Sequence, residues 1–161
     1  MSYRIGNGYD VHKLEKGLDL WICGVKIEHE KGCVAHSDGD TPIHALCDAI
    51  LGALAIGDIG KHFPDNDPSY KGADSKILLK VVYKLMLGKG YKLVNADITI
   101  ALQRPKLAPY IELMRKTLAS ILETDLENIS IKATTTEKLG FVGREEGIEA
   151  YASVLLQRSE Q

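Results

Sequence analysis

The chain has 161 residues, a formal net charge of -2, a hydrophobic share of 45% and a charged share of 26%. This length suits one domain with a substantial core, and no apolar run approaches the ~20 residues that a membrane helix needs. Nucleic acid is excluded as an expected partner, because its binding depends on many basic side chains and the sequence has no Lys/Arg stripe. We therefore expect one domain over residues 1–161, with neither nucleic acid nor membrane as a partner.

The three cysteines, Cys23, Cys33 and Cys47, are odd in number and show no C-x-x-C spacing. We interpret them as buried thiols in a reducing compartment and expect no disulfide. The first residues have neither the apolar segment of a secretory signal nor the character of a transit peptide. A cytoplasmic protein is expected, or a plastid-type organelle if a targeting segment has been removed.

The N-terminal part of the chain has the composition of two strands. They cover residues 3–12 and 18–27, and the residues between them, Leu14 to Gly17, look like a turn that ends in a glycine. Strand segments joined by so short a turn usually pair with each other. We expect these two strands to form an antiparallel pair.

A helix is predicted after these strands. Asp40 and Thr41 offer a cap, Pro42 suits the first turn, and an apolar stripe continues to an expected end near Gly57. A polar loop punctuated by Pro and Gly then runs to Gly72. Loops of this length without secondary structure are more often functional than idle.

The remainder of the chain predicts two helices and three strands. In chain order these are a helix capped by Asp74 or Ser75 and stopped at 88–90, a strand at 93–103, a helix at 108–123, and strands at 128–133 and 147–157. In the strand at 128–133, alternation directs Ile129, Ile131 and Ala133 inward.

The order of these elements indicates an α+β fold. We expect a single two-layer domain, in which a mixed β-sheet has its helices on one face. The other face of such a sheet is left uncovered and must be buried by another subunit. The sequence therefore predicts a homo-oligomer assembled sheet to sheet.

One cluster of residue types has the spacing of a metal site. Asp10 and His12 are two positions apart in a predicted strand and so point to the same side. With His44 they would form a His₂/carboxylate set with one open position, which is the catalytic form of a zinc site. A hydrogen-bonded pair on an exposed strand face, with an unrelated helix-terminus histidine, explains the same residues. Asp48, four positions after His44, is either an acceptor for its ring or an exposed helix aspartate.

Two other stretches have residue types that suit phosphate. His36 and Ser37 precede a helix N-terminus, which favours anions, although a simple capping turn is the alternative that the motif by itself favours. Thr134 to Thr136 offer hydroxyls, and Glu137 offers a carboxylate for a hard cation such as Mg²⁺. A strand end with a capping glutamate is the alternative there. No P-loop, Rossmann or G-x-S-x-G motif is present in the sequence.

Taken together, several long motifs resemble those of the 2-C-methyl-D-erythritol 2,4-cyclodiphosphate synthases over essentially the whole chain. The motifs are "DVH", then "AHSDGD…HAL.DA.LGA…GDIG..FPD.DP..KGADS", and then "KATTTEKLGF.GR.EGI". The resemblance implies a homotrimer whose sheets pack around a central axis, with active sites at the subunit boundaries. It also implies the reaction, in which 4-diphosphocytidyl-2-C-methyl-D-erythritol 2-phosphate closes to the cyclodiphosphate and releases CMP in the non-mevalonate route to isoprenoids.

The resemblance assigns roles to the metal and catalytic candidates. Asp10, His12 and His44 match ligands of a divalent metal, usually zinc, and Glu137 matches the ligand of Mg or Mn that bridges the substrate diphosphate. His36 and Thr135 match the transition-state stabilisers. A cytidine diphosphate substrate is implied as the ligand, and the family allows an isoprenoid diphosphate at the trimer axis.

The remaining substrate contacts follow from the same motifs. Beside Asp10, His12 and His36, the resemblance implies Ser37 at the methylerythritol phosphate; Asp58, Ile59 and Gly60 at the ribose; Phe63, Pro64, Asp65, Asn66 and Asp67 in a flap over the methylerythritol; Leu102, Gln103, Arg104, Pro105, Lys106, Leu107 and Ala108 at the cytosine; Thr134, Thr135, Thr136 and Glu137 at the diphosphate; and Phe141 and Arg144 towards the substrate end and the trimer axis. Arg104 stands where the family often has a small residue. Two rival functions use the same residues: a metal-dependent hydrolase of nucleotide diphosphates, and a non-catalytic trimer that binds a cytidine nucleotide or an isoprenoid diphosphate.

Overall fold

The computed structural model describes residues 2–160. Its strands and α-helices are β1 (Tyr3–Lys16), β2 (Leu20–Ile22), β3 (Val25–Ile27), β4 (Lys31–Val34), α1 (Thr41–Ala53), α2 (Ile59–His62), α3 (Ser75–Gly88), β5 (Tyr91–Ala101), α4 (Ile111–Ile121), β6 (Ile129–Thr134), α5 (Gly140–Gly143) and β7 (Gly147–Arg158). Within the described range, no helix has the length and apolar character needed to cross a membrane.

Five strands form the main sheet, in the order β4-β1-β7-β5-β6. Strands β5 and β6 run parallel, whereas every other neighbouring pair in this sheet is antiparallel. Helix α1 packs across β1 and β7, α3 packs beside α1, and α4 packs against β6. The predicted α+β fold with a mixed sheet is confirmed.

The two faces of the sheet differ in what covers them. The helix-facing side of β7 buries Ile148, Ala150 and Ala152 in the core. On the opposite side Ile5 is 81% exposed, and the neighbouring Tyr9 and Tyr151 are 46% and 50% exposed. The helices thus lie on one face, and an apolar patch remains open on the other.

The expected pairing of residues 3–12 with 18–27 is wrong. Strand β1 pairs with β4 and with β7, while the second segment folds on itself as the hairpin β2–β3. Cys23 and Gly24 have φ angles of 50° and 76°, which is the left-handed geometry of a tight two-residue hairpin turn. The chain also turns at Gly17, where φ is 84°, and so leaves β1 free to take β7 as its long partner.

Three further expectations differ in detail. Helix α1 ends at Ala53 instead of near Gly57, because Ala55 and Gly57 have φ angles of 56° and 100° that no α-helix can include. The loop from Gly57 to Gly72 is partly ordered, since it contains α2 and a 3₁₀ turn at Pro68–Tyr70. Ala133 is exposed, because the end of β6 borders an open cleft instead of the core.

Candidate active site

Backbone contact between a strand and a helix determines where the site forms. A Cβ atom added to Gly6 would lie 1.9 Å from the carbonyl oxygen of Ala49, and one added to Gly8 would lie 1.9 Å from that of Ala45. Only glycine permits this approach, so the first turns of α1 rest directly on β1. The next side chains of β1 on this face therefore meet the start of α1.

These side chains belong to Asp10 and His12, and they meet His44 of α1. The Oδ2 atom of Asp10 lies 3.1 Å from Nδ1 of His12 and 3.2 Å from Nδ1 of His44. One possible ligand atom from each residue lies within 4.8 Å of the others. All three are half-buried beneath the helix layer, which rules out the alternative of a pair on the open sheet face.

The electrostatics of this cluster favour an ionised carboxylate. Burial alone would raise the pKa of Asp10, but hydrogen bonds and charge interactions with His12 and His44 outweigh it and lower the pKa to about 2. Burial alone would lower the pKa of His44, yet the hydrogen bond to Asp10 and nearby carboxylates raise it above its usual value. Two imidazoles and one carboxylate at these distances are a donor set suited to a divalent metal.

The other ring nitrogen of His44 has partners that the sequence did not indicate. Its Nε2 atom lies 2.9 Å from Oγ of Ser75 and 3.2 Å from Oγ of Ser37. The sequence left Asp48 open as an acceptor for this ring or as an exposed helix aspartate, and it is neither, because its side chain is half-buried and bonds elsewhere. Its Oδ1 accepts a hydrogen bond of 2.7 Å from the backbone N–H of Ile59, because the start of α2 offers free amides to a carboxylate one turn further along α1.

The cluster opens into a cleft of about 410 Å³. Among the residues predicted to bind substrate, those lining it are Asp10, His12, His36, Ser37, Ile59, Gly60, Phe63 and Asp65. Asp58 instead caps α2 through the N–H of Lys61 at 2.9 Å, and Asp67 caps the following turn through the N–H of Ser69 at 2.9 Å. Pro64 and Asn66 are exposed on the same loop.

A second cavity, of about 230 Å³, lies between the end of β5 and the end of β6. The predicted residues that line it are Leu102, Gln103, Pro105, Lys106, Leu107, Ala108, Thr134 and Thr135. The N–H of Leu102 donates to the carbonyl oxygen of Thr134 at 2.9 Å, and that of Lys138 donates to Oε1 of Gln103 at 3.2 Å. Arg104 turns away and pairs with Glu145 at 2.7 Å.

The remaining predicted residues lie outside both cavities. Thr136 donates its hydroxyl to the carbonyl oxygen of Leu139 at 2.7 Å, and Glu137 is exposed in a left-handed turn with φ of 53°. Phe141 borders a third depression, and Arg144 pairs with Glu146 at 2.9 Å. A single chain therefore assembles the metal candidates and the cytosine candidates in separate pockets.

The site also contains Thr41 and Ser75, for which the sequence had predicted only a place at the start of a helix. Oγ1 of Thr41 lies 3.1 Å from Nδ1 of His12, and Ser75 contacts His44 as described. Both residues are fully buried. The signal present in the sequence was a hydroxyl residue at the first turn of a helix. The contacts of these hydroxyls with the histidines result from the packing of the helices.

Fold and site together define an α+β protein with a candidate metal-ligand cluster where the sheet contacts the first helix. Residues 3–157 match the model of the YgbB family. The chain belongs to this family, and the resemblance found in its motifs is confirmed.

Individual relatives agree with this assignment. A protein of Acinetobacter baumannii (strain SDF) named 2-C-methyl-D-erythritol 2,4-cyclodiphosphate synthase is 63% identical over 153 residues, which cover 95% of this chain and 96% of that protein. A solved synthase structure of the same name in its CDP-bound form has 39% identity and a TM-score of 0.89, covering 96% of this chain and 100% of that one. The solved structure of the bifunctional IspDF from Campylobacter jejuni has 44% identity and a TM-score of 0.95. The match covers 99% of this chain and 43% of that protein.

Proposed function

We propose that the chain converts 4-diphosphocytidyl-2-C-methyl-D-erythritol 2-phosphate to 2-C-methyl-D-erythritol 2,4-cyclodiphosphate with release of CMP. It is thus a phosphorus-oxygen lyase of the non-mevalonate isoprenoid pathway, with the whole chain as one catalytic domain that acts in the cytoplasm or a plastid-type organelle. The observation that carries this proposal is the cluster of Asp10, His12 and His44 in an open cleft. It occurs in a chain 63% identical to a protein named as this synthase.

Asp10, His12 and His44 hold one divalent metal, for which zinc is the best match. Two imidazoles and a carboxylate provide three ligands, and the cleft leaves a fourth position open to substrate. When bound, such a metal neutralises and orients a substrate phosphate. The three side chains contribute by keeping their ligand atoms together before substrate arrives, as their spacing within 4.8 Å indicates.

The reaction is an intramolecular phosphoryl transfer. An oxygen of the 2-phosphate bonds to the β-phosphorus while the bond from that phosphorus to the CMP oxygen breaks, and no water is consumed. A phosphate monoester is already an anion near neutral pH, so the main requirement is to hold anions in line. His36 and Ser37 bind the methylerythritol phosphate from the cleft wall, and His36 and Thr135 stabilise the charge that develops in the transition state.

The nucleotide end of the substrate occupies the second cavity. The segment from Leu102 to Ala108 surrounds the cytosine, and Thr134 to Glu137 bind the diphosphate, with Glu137 as the ligand of Mg or Mn. Support comes from the cavity of about 230 Å³, which Thr134, Thr135 and most of the Leu102–Ala108 segment line, and from the CDP-bound form of a solved relative. Asp58 to Gly60 contact the ribose, and Phe63 to Asp67 form the flap over the methylerythritol.

The separation of the two pockets supports a homotrimer. The substrate must reach both a metal in the first pocket and a cytosine site in the second. Both ends of the substrate can be bound if adjacent subunits supply one pocket each. The exposed sheet face with Ile5, Tyr9 and Tyr151 gives the apolar surface on which such subunits pack. In this trimer Phe141 and Arg144 face the central axis, where an isoprenoid diphosphate is a further ligand.

The test is incubation of the full-length protein with the diphosphocytidyl substrate, zinc and magnesium, followed by phosphorus NMR. We expect signals of a cyclic diphosphate together with CMP. An acyclic product with two phosphate monoesters in place of the cyclic diphosphate would identify a hydrolase, and tight binding without turnover would identify a non-catalytic binding protein; either result contradicts the proposal.

A variant locates the chemistry. His44→Ala is expected to abolish turnover while its thermal unfolding stays cooperative, because it removes one ligand from a pre-assembled site. His29→Ala, a half-buried histidine outside the cleft, is the matched control and is expected to retain metal binding. Full activity of His44→Ala in zinc-replete buffer would remove His44 from the ligand set.

A further inference from the structure

We propose that Ser75 and Asp38 are positioning residues which keep a proton of His44 on Nε2, so that Nδ1 is the nitrogen that binds the metal. A histidine coordinates a metal only through an unprotonated nitrogen, and the hydrogen bond at the other nitrogen decides which one that is. The inference rests on the proposed metal site.

The carboxylate of Asp38 begins a chain of hydrogen bonds that ends at His44. Oδ2 of Asp38 accepts the backbone N–H of Ser75 at 2.9 Å, and Oδ1 of Asp38 accepts the hydroxyl proton of Ser75. A carboxylate only accepts, and a serine hydroxyl has a single proton to donate. Oγ of Ser75 is therefore an acceptor towards Nε2 of His44, which lies 2.9 Å away. Nε2 must then carry the hydrogen.

The consequence appears on the other side of the ring. When the ring of His44 binds a metal with its proton on Nε2, the nitrogen that offers a lone pair is Nδ1. Nδ1 is the nitrogen 3.2 Å from Oδ2 of Asp10, so it faces the metal-ligand cluster, and a metal would displace the proton that it donates to this carboxylate. The relay from Asp38 through Ser75 thus presents the nitrogen that the metal needs.

Ser37 is the competing partner, because its Oγ lies 3.2 Å from the same Nε2. Ser75 is nearer and fully buried, whereas Ser37 lines the cleft and its Oγ also lies 3.3 Å from the N–H of Gly39. Its hydroxyl is in reach of a phosphate in the cleft. We assign the fixing of the ring to Ser75 and substrate contact to Ser37.

Backbone hydrogen bonds hold the relay in place. The N–H of Asp38 donates to the carbonyl oxygen of Ala73 at 3.1 Å, and the N–H of Gly72 donates to that of His36 at 2.7 Å. These bonds join the turn before α1 to the turn before α3. Ser75, as the first residue of α3, is thereby kept beside His44 of α1.

Zinc affinity tests the relay. Using competition with a chromophoric chelator, we expect Ser75→Ala and Asp38→Asn each to weaken zinc binding by about 10- to 100-fold, the range known for partners of metal-ligating histidines. The double variant should bind no more weakly than the weaker single variant, because both changes break one chain of hydrogen bonds. Turnover should recover in excess zinc, which damage to the fold would not allow.

Ser69→Ala is the matched control. Its hydroxyl and N–H also bond a carboxylate, that of Asp67, at 2.7 and 2.9 Å, but on an exposed turn. We expect its zinc affinity to equal that of the wild type. If Ser75→Ala fails to fold, Asp38→Asn still tests the relay. Asparagine has one acceptor oxygen, whereas the backbone N–H and the hydroxyl of Ser75 each need one.

The protonated nitrogen can be observed in zinc-loaded protein by long-range ¹H–¹⁵N NMR of His44. The wild type is expected to carry the proton on Nε2, and Ser75→Ala to show a mixture. A wild-type proton on Nδ1, or wild-type zinc affinity in both folded single variants, would overturn the relay. If the wild type binds no zinc, the proposed metal centre fails; if the wild type and both folded variants bind zinc equally well, the relay alone fails.

Discussion

The backbone of Gly8 touches the backbone of Ala45, so that a Cβ atom on Gly8 would lie 1.9 Å from the Ala45 carbonyl oxygen. Asp10 is two residues further along the strand, and His44 immediately precedes Ala45 in the helix. The meeting of carboxylate and imidazole is therefore a direct consequence of strand and helix packing without side chains between them.

Gly8→Ala tests this relationship. The new methyl group must displace α1 from β1, and we expect the free energy of unfolding to fall by about 3 kcal/mol, the upper part of the range for overpacked cores. Zinc affinity should fall as well, because the displacement separates His44 from Asp10. Urea unfolding and a zinc titration measure the two effects.

Gly88→Ala is the control for this substitution. A Cβ atom at Gly88 would meet nothing within 4 Å, and the residue ends α3. Alanine there should leave stability unchanged or raise it by up to about 1 kcal/mol, because glycine costs helix entropy. Equal losses in the two variants would show that close packing at Gly8 is not the cause.

Much of the secondary structure could be predicted from local sequence. The cap at Asp40 and the apolar stripe after it specify α1, and the side chain of Asp40 does accept from the N–H of Ile43. Strand pairing is a different matter. Tyr9 pairs with Tyr151 across the whole length of the chain, and no local pattern identifies so distant a partner.

The site was predictable to the same degree. The two-residue spacing of Asp10 and His12 places them on one face by strand geometry alone. The relay partner Ser75 could not be found in this way, since its contact with His44 depends on how α1 and α3 pack together. The partner of Asp48 could not be identified for a similar reason, because the position of α2 is set by the tertiary fold.

Ile5→Asp tests the proposed trimer. Ile5 is 81% exposed on the open sheet face, and a charge there would have to be desolvated in a subunit interface. We expect the trimer to dissociate in sedimentation velocity and turnover to fall with it, because the proposed site needs two subunits. Ile77→Asp is the control, since Ile77 is 63% exposed on α3 and should leave the trimer intact. An unchanged mass for Ile5→Asp would contradict the sheet-to-sheet arrangement.

The three cysteines are expected to be inert in the folded protein. Cys23, Cys33 and Cys47 are free and buried. Burial raises the pKa of Cys33 to about 12, and it raises the pKa of the other two thiols well above the usual value. Because the thiolate is the reactive species, a disulfide reagent should consume these thiols only after a denaturant opens the fold. Rapid reaction of any thiol in the native protein would contradict the buried core described above.

Arg104 stands in the proposed cytosine loop between Gln103 and Pro105. Its Nε lies 2.7 Å from Oε1 of Glu145, although its side chain is 59% exposed. Exposed ion pairs contribute little, so Arg104→Ala and Glu145→Gln should each raise the KM of the nucleotide substrate by at most about 5-fold without changing kcat.

The physical reason for this pattern is that the ion pair restrains the loop and takes no part in bond making. Concentrated salt should therefore shrink the difference between wild type and variants. Lys80→Ala, which breaks the 2.9 Å pair with Glu123 on the other side of the helix layer, should change neither constant. A fall in kcat for Arg104→Ala, with KM unchanged, would instead assign this side chain to the reacting end of the substrate.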